Sequence, residues 1–290
     1  MHIPVLLQEV VSGLAVKRGA TVLDATVGDG GMSEALCAAM EGRGTIVCLD
    51  EDEEAISRSR ARLTACGCEF LFYRANFRNL DDAFLALGIL EIGAAVFDLG
   101  LSSFQLEESG RGFSFQRDEP LLMTFHTGSG LTAQEIVNQW DEKRLAAVLR
   151  ECGEERFAAR IARKIIAARH RGQIETSGAL AEIIFRAVRR RGRIHPATRT
   201  FQALRITVND EPGALKEALP KCFSFLSRGG RMAVISYHSG EDRLVKHFFR
   251  DTTRGGAGRL IFKKPVTPAQ EEMRRNPRSR SAKLRILEKL

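Results

Sequence analysis

Three aspartates close short apolar runs. Asp24 follows Thr21-Val-Leu, Asp50 follows Thr45-Ile-Val-Cys-Leu and Asp98 follows Ala94-Ala-Val-Phe. After the first comes Gly28-Asp-Gly30-Gly31-Met32, a turn leading into a helical pattern. Such a turn lets backbone approach a ligand and aims helix N–H groups at it. Dinucleotide folds place Gly-x-Gly-x-x-Gly there, with the pyrophosphate on the helix end. Here Ser33 takes the position of the third glycine, the one that permits close helix packing.

The acids discriminate further. Asp24 precedes the turn and Asp29 stands inside it, so the turn suits a positively charged ligand better than phosphates. S-adenosylmethionine, with its sulfonium and α-ammonium, is such a ligand. Asp50 is placed to accept hydrogen bonds from ribose hydroxyls, a role shared by NAD folds. Two plainer roles stay open, Asp24 bracing the turn and Asp50 capping the next helix. Phe77 is a candidate to stack on adenine, or an ordinary core residue. Ligands of open αβ sheets bind at the carboxyl ends of the strands, which puts Asp98 at the same crevice. A second chemical stretch, Ser236-Tyr-His-Ser-Gly-Glu-Asp242, offers His238 as a proton acceptor near neutral pH or as a structural histidine. No Gly-x-Ser-x-Gly elbow supports a serine hydrolase.

These residues need a scaffold. Apolar runs at 21–24, 45–50, 69–73 and 94–98, separated by helix-length segments, predict parallel strands with right-handed crossovers. The rhythm breaks over Ser102–Thr127. Thr132 and Glu135 then form a capping-box pattern with Leu131 and Ile136 as a staple, opening a helical stretch over 131–190. A helix near 211–226, the turn Arg228-Gly-Gly230 and strands at 231–236, 259–263 and 282–287 complete the pattern. The expected fold is α/β, Rossmann-like, with a seven-stranded and mostly parallel sheet. The expected domains are 1–108 with 198–290, and an inserted, mainly helical 109–197.

The six cysteines read as reduced thiols, because Cys66-Gly-Cys68 has no partner pair at zinc spacing; no metal is expected. No apolar run reaches membrane-spanning length, and the start lacks a basic n-region, so a cytoplasmic protein is expected. Charge is uneven. Residues 1–100 hold 8 Lys/Arg against 15 Asp/Glu, and residues 101–290 hold 36 against 21. Basic runs at Arg186–Arg205 and Met273–Arg285, both free of acids, suggest a polyanionic partner.

The chain resembles the RsmH (MraW) family, bacterial methyltransferases of the N4 of a cytosine in 16S ribosomal RNA. The likeness rests on His2-x-Pro-Val-Leu-Leu, Asp24-Ala-Thr, Gly30-Gly31 and Asp98-Leu-Gly-Leu-Ser-Ser-x-Gln-Leu. It continues through Arg111-Gly-Phe-Ser-Phe, Gly153-Glu-Glu-Arg-Phe-Ala, His195-Pro-Ala-Thr-Arg-Thr-Phe-Gln-Ala-Leu-Arg-Ile, Ile235-Ser-Tyr-His-Ser and Asn276-Pro-Arg-Ser-Arg-Ser-Ala-Lys-Leu-Arg.

The resemblance implies a class I methyltransferase fold using S-adenosylmethionine, with cofactor contacts at Gly30, Gly31, Met32, Asp50, Phe77, Asp98 and Gln105. Asp24 and Gly28 join them from the turn itself. Asp98 and His238 are the catalytic candidates. Arg111, Arg199, Phe201, Gln202, Arg205, Arg278 and Arg280 are candidates to contact the implied partner, 16S rRNA in the small ribosomal subunit. Phe201 and Leu204 have a packing alternative. The oligomeric state stays open, a homodimer included.

The chain departs from the family pattern at Asp29, at Met32 in place of histidine, at Leu122 and Thr124 in place of aspartate and arginine, and at Tyr237 and Gly240. These departures keep an RNA-binding assembly factor without catalysis in view. A dinucleotide-dependent oxidoreductase is disfavoured by Asp29 and the absent third glycine.

Overall fold

The computed structural model describes residues 4–126, 128, 130–188 and 195–290. His2 of the first motif and the 189–194 part of the arginine run lie outside the described residues. The strands are β1 (Thr21–Asp24), β2 (Thr45–Asp50), β3 (Glu69–Arg74), β4 (Ile92–Asp98), β5 (Leu226–Ser236), β6 (Gly258–Leu260) and β7 (Lys283–Lys289). The helices begin with α1 (Leu7–Leu14), α2 (Gly31–Ala39), α3 (Glu53–Leu63), α4 (Leu80–Leu87) and α5 (Ser103–Glu107). They continue with α6 (Ala133–Gln139), α7 (Glu142–Glu151), α8 (Ala158–Arg169), α9 (Ser177–Val188) and α10 (Thr198–Asn209). The last three are α11 (Glu211–Phe225), α12 (Ser239–Arg254) and α13 (Gln270–Arg275).

The chain forms two compact units, Met1–Gly100 with Pro212–Leu290, and Leu101–Glu211. In the first unit all seven strands make one sheet, in the order β3-β2-β1-β4-β5-β7-β6. β1 to β5 pair in parallel, and β7 runs antiparallel to β5 and β6. The central strands are apolar throughout because both faces are covered. Val22, Ile46, Val96, Ile235 and Ile286 face one buried cluster, shared with residues of α1, α2 and α3. Leu23, Val47, Leu49, Phe97 and Val234 face the other, shared with α4, α11 and α12.

The expected turn at Arg228–Gly230 is instead part of β5. Leu226 pairs with Ile92 and Arg231 with Ala94, so the residues between them bulge opposite Gly93. Gly229 supplies the positive φ of 79° that such a bulge requires.

The second unit is helical, and it reaches beyond residues 109–197. Phe201, Ala203 and Leu204 of α10 are buried with Ile136, Leu149, Ile161 and Ile184, so α10 packs with the helices before it. The Thr132–Glu135 capping box is formed at the start of α6. Ile136 is fully buried, but Leu131, expected to staple it, is left exposed. Leu101 and Leu106 also pack on this core, and α5 opens with its own capping box between Ser102 and Gln105.

Truncating a buried sheet residue tests this layering. Ile286→Ala is expected to destabilise the protein by about 2–5 kcal/mol, through lost burial and the cavity left behind. Denaturant unfolding checks it; a change below about 0.5 kcal/mol would contradict the burial of β7.

Candidate active site

The strand register explains how the three aspartates differ. Asp24, the last residue of β1, pairs with Cys48 on one side and Val96 on the other. Asp50 and Asp98 therefore stand two residues further along their own strands. β1 ends short of its neighbours, and Asp24 lies beneath the rim with 1% exposure. Asp50 and Asp98 keep an accessible edge.

Asp24 takes the bracing role. Its carboxylate accepts the Ser33 hydroxyl at 2.6 Å and the Thr26 N–H at 3.3 Å, tying the end of β1 to the start of α2. That burial excludes the direct ligand contact expected of it. Asp50 accepts the Gly28 N–H and the Asp52 N–H, each at 3.0 Å, so it holds the glycine turn. The capping of α3 falls to Asp52, which accepts from the Glu54 N–H. Asp98 is fixed through its backbone, its N–H donating to Thr26 Oγ1 at 2.8 Å. Its Oδ1 accepts from the Gly100 N–H at 3.4 Å.

The electrostatics follow from this crowding. Burial is the largest influence on all three carboxyls, pushing Asp24 up to about 7 and Asp50 and Asp98 up to about 6. Hydrogen bonds from Ser33 and Thr26 oppose the shift at Asp24, while the negative charges of Asp98 and Asp50 add to it. At Asp50 the Asp52 and Gly28 N–H groups oppose it, and at Asp98 the Tyr237 hydroxyl and Gly100 N–H do. The rim is short of positive charge. A ligand bringing cationic donors stabilises it, and a pyrophosphate adds repulsion.

The glycine turn divides by side. Gly28 has φ +51°, and an added Cβ would meet nothing closer than a backbone oxygen at 3.9 Å, so its face is open to a ligand. Gly30 has φ +77°, and its missing Cβ would press on Ser59 and Leu63 of α3 at 3.2–3.3 Å. Gly31 lies where a Cβ would stand 2.8 Å from Pro4. Both are glycines for packing. Asp29, read as an anion beside the ligand, instead accepts from Arg58 Nε at 2.9 Å. The Met32 side chain is buried in the core, which leaves only its N–H as a ligand contact. No side chain caps α2, so the N–H groups of its first turn remain available as donors.

Phe77 is half-buried and meets the core residue Phe97 edge-on, with ring centroids 5.8 Å apart. His238 is the N-cap of α12. Its Nδ1 accepts the Glu241 N–H at 3.4 Å, and its Nε2 stands 3.1 Å from Glu241 Oε1. Glu241, buried, also accepts the N–H groups of Tyr237 and His238. The N-cap role gives this histidine a structural explanation. Thr26, Ser33 and Tyr237 are site residues that sequence reasoning did not assign, although Thr26 and Tyr237 lie within quoted motifs.

In the helical unit, Gln105 closes the α5 capping box by accepting the Ser102 N–H at 2.9 Å. Arg111 is buried and donates to the carbonyls of Phe125, at 2.7 Å, and Thr124. Phe201 is buried edge-on to Phe115. Gln202 donates to the Cys152 carbonyl, and Arg205 makes a bidentate pair with Glu211. These four expected RNA contacts are thus occupied in holding the unit together. Arg199 donates to the Glu154 carbonyl from a half-buried position. In the sheet unit Arg278 and Arg280 are exposed, whereas Lys283 and Arg285 pair with Asp242. Thr124 is buried and Leu122 half-buried, so those departures are absorbed by packing.

The excess of positive charge follows the sheet unit's second segment. Residues 101–211 hold 18 Lys/Arg against 14 Asp/Glu, and residues 212–290 hold 18 against 7. All six cysteines are free thiols, and among the described residues no helix is long and apolar enough to cross a membrane.

The sequence matches the MraW methylase family over residues 1–290. A ribosomal RNA small subunit methyltransferase H from Paenibacillus sp. (strain JDR-2) is 42% identical, covering 100% of this chain and 99% of that one. The protein of the same name from Heliobacterium modesticaldum is 43% identical over 100% and 98% of the two chains. That from Dehalococcoides mccartyi (strain 195) is 43% identical over 100% and 86%.

Two substitutions probe the site's construction. Above the unfolded value a buried carboxyl with a raised pKa costs stability, and the cost is complete once pH exceeds the folded value near 7. Asp24→Asn removes that cost, so its Tm relative to the parent is expected to climb between pH 5 and pH 8; a flat difference would refute burial as the cause. Gly30→Ala is expected to lose about 1–3 kcal/mol in thermal unfolding, from strained φ and contact with α3.

Proposed function

This chain belongs to the MraW methylase family, and from that membership we propose that it methylates the N4 of a cytosine in the 16S rRNA of the small ribosomal subunit. It is an S-adenosylmethionine-dependent rRNA methyltransferase, and the base and its N4 are the part inferred here. The observation that carries the reading is the pair of half-buried aspartates, Asp50 and Asp98, at the ends of the strands on either side of the buried Asp24.

The residues present fit S-adenosylmethionine. Asp50 suits its ribose hydroxyls, Gly28 and the first-turn N–H groups of α2 suit close polar approach, and the anionic rim suits its positive charges. Phe77 offers a half-buried ring for the adenine. The bound cofactor supplies an electrophilic methyl group on a sulfonium.

Cytosine N4 is a poor nucleophile because its lone pair is conjugated with the ring. Asp98, accepting a hydrogen bond from N4–H, draws that lone pair out of conjugation. Transfer would form the N4–C bond as the methyl's bond to the sulfonium sulfur breaks, leaving a neutral thioether, and the Asp98 carboxylate would take the N4 proton so that the nitrogen ends neutral. The rest of catalysis is positioning and exclusion of water. A base in folded RNA must be splayed out to reach the rim. The helical unit at 101–211 is the proposed substrate-recognition unit, and Arg199, Arg278 and Arg280 are the proposed phosphate contacts. The small ribosomal subunit, in the cytoplasm, is the proposed substrate.

Asp98→Ala is expected to abolish methylation. Nucleoside mass spectrometry of rRNA from cells lacking the protein is expected to show loss of N4-methylated cytidine, and unchanged levels would overturn the reading. If six to ten phosphates are engaged, RNA affinity falls about a thousandfold or more between 50 and 200 mM salt. Arg280→Ala is expected to reduce that salt slope by about one, without changing cofactor affinity. Titrations of cofactor and RNA at several salt concentrations check both.

A further inference from the structure

His195 opens the segment His195-Pro-Ala-Thr-Arg199 that leads into α10. Pro196 restricts His195 to extended backbone. Two bonds then fasten the turn. The Ala197 N–H donates to His195 Nδ1 at 3.2 Å, and the Thr198 N–H donates to the His195 carbonyl at 3.1 Å. The ring is held on its face as well, stacked on Phe115 with centroids 4.3 Å apart and planes 16° from parallel. Phe115 is half-buried and stands edge-on to Phe201, with centroids 5.3 Å apart. Phe201 lies in the core of the helical unit. The three rings form a column that begins in that core and ends at the surface. His195 is exposed, and with one face on Phe115 it offers solvent its other face and outer edge.

We infer that this outer face of His195 is a stacking platform for an unpaired base of the RNA substrate, with Phe115 and Phe201 as its support. The inference rests on the reading that the chain acts on rRNA. An aromatic face accepts any of the four bases, so the platform orders a strand without reading its sequence. Charge favours a nucleic acid at this place. The run Arg186–Arg205, within which His195 lies, holds seven arginines and no acid. Arg199, four residues on, is the proposed phosphate contact, so one short segment offers both a ring for a base and a guanidinium for the backbone. The ring is fixed by its stack and by its Nδ1 bond before RNA arrives, so little ordering cost falls on binding.

Two substitutions separate the ring from its hydrogen bond. His195→Asn keeps an acceptor for the Ala197 N–H and removes the ring. His195→Phe keeps a ring on Phe115 and loses the acceptor. Affinity for small-subunit particles from cells lacking the protein is measured for each at several salt concentrations. His195→Asn is expected to bind about five- to 150-fold more weakly, the loss of one stacked base. Its salt slope is expected to match the parent's, because stacking releases no counterions. His195→Phe is expected to stay within about threefold of the parent, since a phenyl face stacks equally well. Parent-like affinity in His195→Asn, or an equal loss in His195→Phe, would overturn the platform and leave the RNA reading intact. A parent that neither binds nor methylates the particles would overturn that reading, and the platform with it.

Discussion

Three carboxylates at the ends of three neighbouring strands repel one another and resist burial, and the rest of the sheet unit is arranged around holding them. β1 ends two residues before β2 and β4, which sinks Asp24 below the rim and lifts Asp50 and Asp98 to it. Full burial and a 2.6 Å bond to Ser33 make Asp24 a brace between strand and helix. The accessible pair can engage a ligand whose own positive charge relieves the repulsion. A site built on repulsion in this way favours one sign of ligand before any shape is considered.

Keeping the pair available requires that other groups take the structural duties. Asp52 caps α3 in place of Asp50. Arg58 neutralises Asp29 on the α3 side of the turn. Glu241 and His238 together cap α12, which occupies that imidazole. At the rim the pKa of Asp98 is set by burial, which raises it to about 6, against neighbouring donors that lower it.

The helical unit shows the opposite use of polar residues. Arg111, Gln202 and Arg205 satisfy carbonyls and a buried carboxylate inside it, and Phe201 fills its core. Their motifs carry a structural load that a substrate-contact reading overlooks. The net excess of positive charge belongs mainly to residues 212–290, in the unit that also carries the three aspartates, because acids there are few.

By itself the sequence determined the αβ rhythm, the seven strands and the acids at their ends, because apolar runs and the residues that stop them are local properties. It also determined the capping box at Thr132 and Glu135, whose spacing alone dictates the bond. Only the tertiary structure decided which acid is braced and which is accessible, since that depends on how far β1 extends beside β2 and β4. It likewise decided that β7 lies antiparallel between β5 and β6, and that α10 packs with the helices before it. The approach of Tyr237 to the loop after Asp98 was invisible for the same reason. Tyr237 and Asp98 are separated by 139 residues of chain and become neighbours only because two parallel strands align Ile235 with Asp98.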